Sequence, residues 1–193
     1  MILRYITHPE IVMDPEVPVP QWPLNEIGIK RATAMLDQPW VAQTGRIISS
    51  DETKATDTAR ILANHLGLGV DVRSNLGEND RSATGFVPPD EFERLADAFF
   101  AEPQRSVRGW EKASDAQHRV ISGLADVAGP DAPTTDTDIA VIGHGGVGTL
   151  LYCHLAGLPI DRQYDQDGGG HYFAFDLQSR RVLHHWRRVD NIE

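Results

Sequence analysis

Runs of apolar and polar positions divide the chain into short strands and amphipathic helices. Compact apolar runs bounded by turn residues predict strands at residues 2–7, 46–50, 70–72, 138–142, 171–177 and 181–188. Apolar residues recurring every third or fourth position predict helices at residues 24–36, about 51–66, 90–100, 110–127 and 146–156. Because strands and helices alternate, we expect a three-layer α/β/α fold with a mostly parallel central sheet and a C-terminal hairpin.

Two segments lack this periodicity and read as loops. Residues 9–23 contain five prolines, and the polar stretch 75–89 opens an excursion that continues to about residue 109. No linker interrupts the chain, and 193 residues can bury a sizeable core, so residues 1–193 are expected to form a single domain. Both loops follow predicted strands, and we expect them to border a binding site.

Two of the predicted strands end on a histidine. The first apolar run leads into His8 and Pro9, and the later one leads into Gly143-His144-Gly145-Gly146. The carboxyl ends of strands in α/β sheets are where ligands bind. Two histidines delivered to that edge from distant parts of the chain indicate one site with a nucleophile and a partner.

These segments and three others resemble the motifs of the histidine phosphatase superfamily, the phosphoglycerate-mutase-like fold. Thr7-His8-Pro9-Glu10 matches Arg-His-Gly-Glu, and Gly143-His144-Gly145-Gly146 matches Ser-His-Gly-Gly. Between them lie counterparts of the family's first-helix segment, of its Ser-Ser-Pro-Leu-x-Arg motif and of its mid-chain acid, at residues 23–28, 49–59 and 76–78. Their order and spacing match over nearly the whole chain.

The resemblance implies a role for three of these residues. His8 would be the nucleophile that forms a phosphohistidine, and His144 would donate hydrogen bonds to the phosphoryl oxygens, better if protonated. Glu78 would be the general acid that protonates the leaving oxygen and then activates water, with Asp80 as the alternative. The backbone N–H of Gly145, at the start of a helix, would also favour an anion.

The chain departs from the family at its phosphate-binding arginines. Thr7 stands where the family has the first arginine and can offer only a hydroxyl, and Lys54 stands where it has the second. Lysine keeps the charge but loses the bidentate geometry of a guanidinium. Arg81, close behind Glu78, is expected to take over phosphate binding, with Arg108 as the alternative.

We therefore expect a phosphomonoester hydrolase that acts through a phosphohistidine on a small phosphorylated metabolite, without a metal or other cofactor. A mutase is less favoured, because no clamp for a sugar acid is evident. The alternative is a catalytically weak or inactive protein that binds a phosphorylated ligand on the same scaffold, which the two replaced arginines favour.

A different reading comes from the glycines Gly143, Gly145 and Gly148, which fit the G-x-G-x-x-G pattern of dinucleotide-binding proteins. That pattern requires a second parallel strand ending on an acid about 20 residues further on. Residues 157–170 instead look like a loop, so the dinucleotide reading is disfavoured.

Charge and composition limit the partners. The formal net charge of −10 disfavours nucleic acid and anionic membranes as partners, and no run approaches the ~18 apolar residues of a membrane span. The single cysteine, Cys153, is expected in the core, and a cytoplasmic location is the simplest expectation. The sequence does not indicate an oligomeric state.

Overall fold

The computed structural model describes residues 1–129 and 136–191. The strands are β1 (Ile2–Thr7), β2 (Thr44–Ser50), β3 (Val70–Arg73), β4 (Asp138–Gly143), β5 (His171–Asp176) and β6 (Arg181–Arg188). The helices are α1 (Glu26–Ala34), α2 (Thr53–Leu66), α3 (Pro89–Ala101), α4 (Ala113–Gly123), α5 (Ala125–Ala128) and α6 (Gly145–Ala156). Single 3₁₀ turns occur at 19–21, 35–37, 41–43, 74–76 and 162–164.

These strands form one mixed sheet in the order β3-β2-β4-β1-β5-β6. The first four run parallel to one another, while β5 is antiparallel to β1 and pairs with β6 as the C-terminal hairpin. The predicted fold class is therefore confirmed. The order brings the carboxyl ends of β2, β4 and β1 side by side, although these strands are far apart in the sequence.

Both faces of the sheet are buried by helices. Leu3 and Tyr5 of β1 point into a core shared with Val120 of α4 and Leu151 of α6. The next residue, Ile6, packs on the other face in a cluster that includes side chains of α2. Alternate residues of a strand face opposite sides of the sheet. A strand whose two faces are both covered by helices therefore needs apolar residues at consecutive positions, as β1 has.

Some predicted helix limits were wrong. The helix expected at residues 110–127 starts only at Ala113 and breaks at Leu124, whose φ of −115° and ψ of 8° separate α4 from the short α5. The side chain of Leu124, at the break between the two helices, is buried in the core. Helix α3 begins at Pro89, one residue before the predicted start, and Pro88 occupies its N-cap position. No helix among the described residues is long and apolar enough to cross a membrane.

Candidate active site

The two strand-end histidines meet, as their positions predicted. The His8 backbone N–H donates to the Gly143 carbonyl oxygen at 3.1 Å, which extends the pairing of β1 and β4 by one residue. The two imidazole rings lie 5.3 Å apart between centroids, with their planes at 67°. Parallel pairing of β1 with β4 is the reason, because it places the residue that follows each strand at the same edge of the sheet.

The half-buried His8 has the surroundings of a neutral base. Its Nδ1 atom lies 2.8 Å from the carbonyl oxygen of Pro9, and a carbonyl can only accept, so Nδ1 carries the proton. Burial, reinforced by the neighbouring His144 and Lys54, lowers the His8 pKa from 6.5 to about 3. The ring is thus neutral near pH 7 and keeps a lone pair on Nε2. Pro9, although it lacks a backbone N–H, supplies the acceptor that orients the ring.

His144 is completely buried and tightly held. Its Nε2 atom lies 2.8 Å from Ser50 Oγ and 3.5 Å from a Glu52 carboxylate oxygen. The Tyr5 hydroxyl accepts from the His144 N–H at 3.0 Å and donates to its carbonyl at 3.1 Å. Burial lowers the His144 pKa although the Glu52 and Glu78 carboxylates oppose it, so the ligand-free site does not favour the protonated form. Its Nδ1 has no hydrogen-bond partner in the described part of the chain.

Glu52 connects the charged groups of the site, and the sequence reading missed it. One carboxylate oxygen pairs with the buried Lys54 ammonium, and the other accepts from the Glu78 N–H at 2.7 Å. Burial would raise the Glu52 pKa, but a positive charge on His144 when it is protonated, the Lys54 ammonium and these hydrogen bonds outweigh burial and hold the pKa at about 2. The cation expected to receive phosphate is therefore already neutralised. The available signal was the acid in place of the motif leucine, two residues before Lys54.

The Glu78 carboxylate binds the start of α6. Its two oxygens accept from the N–H groups of Gly146 and Val147, each at 3.0 Å. A helix N-terminus attracts anions, and here a side-chain carboxylate takes that place. Residue 146 has no room for a side chain, because a Cβ on Gly146 would lie 2.8 Å from a Glu78 oxygen.

Arg119 and Glu111 hold the segment that carries Glu78. The Arg119 guanidinium pairs with both oxygens of Glu111 and donates to the carbonyl oxygens of Asn75, Gly77 and Glu78. The Glu111–Arg119 ion pair therefore has a structural role. The general-acid candidate therefore lies on a loop that is held by three hydrogen bonds from one arginine.

Arg81 and Arg108, the two candidates for the missing arginine, lie in different environments. Arg81 lines the cavity, and its guanidinium lies over the rings of Phe92 and Trp110, 5.0 and 5.7 Å from their centroids. It forms no ion pair with a described residue. Arg108 is exposed and pairs with Glu91 outside the cavity lining. Arg81 is thus the one of the two that can meet a ligand beside His8.

Thr7 lies behind the cavity instead of in it. Only 1% of its surface is exposed, and its hydroxyl accepts from the His171 N–H at 3.0 Å. Thr7 Oγ1 also lies 2.7 Å from Gln166 Oε1, which turns the amide nitrogen of Gln166 toward Gly145. Gln166, which the sequence reading also missed, lines the cavity as a neutral donor.

A cavity of about 770 Å³ collects most of the predicted residues. Its lining includes His8, Lys54, Glu78, Arg81 and Gly145, whereas Thr7 and His144 lie beneath it. The fallback acid Asp80 is outside the lining and accepts from the Ser82 N–H in its own turn.

The dinucleotide reading was wrong. After α6 the chain enters β5, which pairs antiparallel to β1, so the second parallel strand of a dinucleotide-binding unit is missing at that point. The glycines serve close packing instead: a Cβ on Gly143 or Gly148 would lie 2.2 or 2.5 Å from Tyr5 atoms. Tyr5 in turn supports the backbone of His144.

Comparisons with known proteins agree with this geometry. The model of the histidine phosphatase superfamily (branch 1) matches residues 18–171. A mycobacterial glucosyl-3-phosphoglycerate phosphatase bound to inorganic phosphate is 21% identical, with a TM-score of 0.76 over 98% of this chain and 99% of that one. A putative alpha-ribazole-5'-P phosphatase from Escherichia coli is 21% identical, with a TM-score of 0.75 over 98% of each chain. At such identity these structures show the shared fold. No curated protein gave a significant match.

Proposed function

Because this chain belongs to branch 1 of the histidine phosphatase superfamily, we propose that it hydrolyses phosphomonoesters of a small metabolite through a phosphohistidine at His8. One observation carries the proposal: the Pro9 carbonyl holds Nδ1 of a neutral His8 at 2.8 Å, which leaves the Nε2 lone pair for attack. A neutral imidazole oriented in this way is the form that can act as a nucleophile.

The proposed reaction has two displacements at phosphorus. Nε2 of His8 forms a bond to phosphorus while the bond to the leaving oxygen breaks, and Glu78 in its protonated form gives that oxygen a proton and becomes a carboxylate. The Glu78 carboxylate then takes a proton from water, whose oxygen attacks the phosphohistidine. The P–N bond breaks, and inorganic phosphate and neutral His8 are released.

Charge on the transferring group is stabilised by side chains around His8. Arg81 contributes a guanidinium that no described carboxylate neutralises, and Lys54 contributes its ammonium in competition with Glu52. His144 and the Gly145 N–H complete the set. An arriving phosphate dianion favours protonated His144, because a nearby negative charge raises the pKa of a base. Such preorganised donors are the main catalytic contribution in phosphoryl transfer.

The second candidate function is binding without turnover. Two observations favour it: Thr7 is turned away from the cavity, and the Lys54 charge is neutralised by Glu52. A protein of this kind would hold a phosphorylated ligand through Arg81 and the Gly145 N–H but would transfer phosphate slowly or not at all.

Trapping the intermediate tests the proposal. Rapid quenching with a radiolabelled aryl phosphate should leave label on the protein that is stable in base and released by acid, as expected for phosphohistidine. His8→Ala should abolish the label, whereas His65→Ala, which removes an exposed histidine of α2, should leave it unchanged. Turnover by His8→Ala would refute the nucleophile. Calorimetric binding of phosphate without label or turnover would establish the binding protein instead.

A further inference from the structure

Part of the cavity lining is apolar. The Pro-rich loop and the excursion contribute most of its large apolar side chains, among them Ile11, Met13, Trp22, Phe86, Val87 and Phe92. The Trp22 and Phe86 rings come from different loops and lie 5.9 Å apart between centroids, with their planes at 59°. The cavity thus offers aromatic surface in addition to the polar groups around His8.

Some of this apolar surface is exposed to water in the ligand-free protein. Met13 is 62% exposed and Phe86 is 37% exposed, and both belong to the cavity lining. Exposed apolar side chains that gather at one place mark a site where a ligand or partner is bound. Here they gather at a cavity that also contains the proposed nucleophile.

The rest of the lining disfavours a second negative charge. Glu93, Asp165 and Asp167 all contribute carboxyl groups to it. Arg162 is the cation beside them, but it pairs with both Glu93 and Asp97, so those three side chains together keep a net negative charge. An anionic leaving group would therefore meet like charges, which costs affinity.

We propose that the site selects phosphomonoesters whose leaving group is an uncharged alcohol with an aromatic or bulky apolar body. This inference rests on the proposed function, because the phosphoryl end must lie at His8 for the body to reach Trp22 and Phe86. The leaving group covers the aromatic side chains and avoids the three carboxyl groups. Substrates that carry a carboxylate, such as sugar-acid phosphates, are selected against.

Binding of non-hydrolysable phosphonates tests the inference separately from catalysis. Calorimetry should show benzylphosphonate binding about 30-fold more tightly than ethylphosphonate, as burial of a phenyl ring predicts. Carboxyethylphosphonate should bind at least about fivefold more weakly than ethylphosphonate, because its carboxylate meets like charges.

Two variants connect the preference to the structure. Phe86→Ala should reduce the benzyl-to-ethyl ratio about fivefold, because an aromatic contact is lost. Leu183→Ala removes an exposed apolar side chain on β6, away from the cavity, and should leave the ratio unchanged.

The outcomes separate the two proposals. Equal affinity for the benzyl and ethyl compounds, or a preference that Phe86→Ala does not alter, would overturn the inference even if the protein hydrolyses phosphate esters. A benzyl preference in a protein that never forms phosphohistidine would support the inference for the binding protein and overturn the enzyme. Preference for the carboxylate-bearing compound would overturn the charge argument.

Discussion

Replacing Glu52 with glutamine probes the charge network of the site. The amide keeps the size of the side chain and an oxygen that can accept from the Glu78 N–H. It removes the negative charge that faces Lys54 and His144, both of them buried. The variant therefore isolates the electrostatic part of the interaction.

The size of the effect follows from the Glu52 pKa. Folding lowers that pKa from 4.5 to about 2, and such a decrease corresponds to about 3 kcal/mol of stabilisation of the ionised form. Glu52 is only 8% exposed, so screening by solvent reduces this stabilisation only slightly. Removing one partner of a buried pair costs a similar amount, ~3–5 kcal/mol, because the remaining ammonium is left uncompensated.

The free energy of unfolding, measured by urea denaturation across pH, checks this prediction. Because the folded pKa is below the unfolded one, the contribution is complete above pH 4.5 and is lost as the pH falls toward about 2. Glu52→Gln should thus be about 3 kcal/mol less stable than the wild type near pH 7, with the gap falling by more than half near pH 3.

Glu102→Gln is the matched control, because it removes an acid from an exposed pair with Arg105. It should change stability by no more than about 0.5 kcal/mol at any pH. A gap between wild type and Glu52→Gln that does not depend on pH would refute the reasoning. So would a Glu52→Gln effect as small as that of the control.

Further measurements address the site itself. Arg81→Ala should lower kcat/KM roughly ten- to a hundred-fold with little change in Tm, whereas Arg108→Ala should match the wild type; equal kinetics for both would make Arg81 a surface charge. Glu52→Gln should bind inorganic phosphate about tenfold more tightly in calorimetry, because Lys54 is released, and weaker binding would contradict this. Activity should survive EDTA, since side chains supply every cation in the scheme, and recovery only with added metal would point to another mechanism. In the wild type, the free energy of unfolding should decrease as the pH falls from 6.5 to about 3, because His8 takes up a proton in the unfolded state but not in the folded one. In His8→Asn this decrease should be smaller when the free energy of unfolding is measured across the same range.

The sequence alone determined the framework of the site. Apolar runs ending on His8 and His144 predicted two strand ends at one edge of a sheet, and the structure places those rings 5.3 Å apart. This was possible because strand period, turn residues and the family motifs are local features, and parallel pairing then brings their ends together. The resemblance also identified Glu78, and the position of Arg81 close behind it predicted that Arg81 would reach the same site; both residues line the cavity.

Only the tertiary structure decided how the charges are distributed. Glu52 neutralises Lys54, Glu78 caps α6, and Thr7 turns to Gln166 instead of the ligand. The Glu78 and Thr7 contacts join segments that are distant in sequence. Glu52 and Lys54 are only two residues apart, but their contact also depends on side-chain directions, which no periodicity encodes. The same holds for the apolar part of the cavity, where Trp22 and Phe86 meet only because two loops fold over the same strand ends.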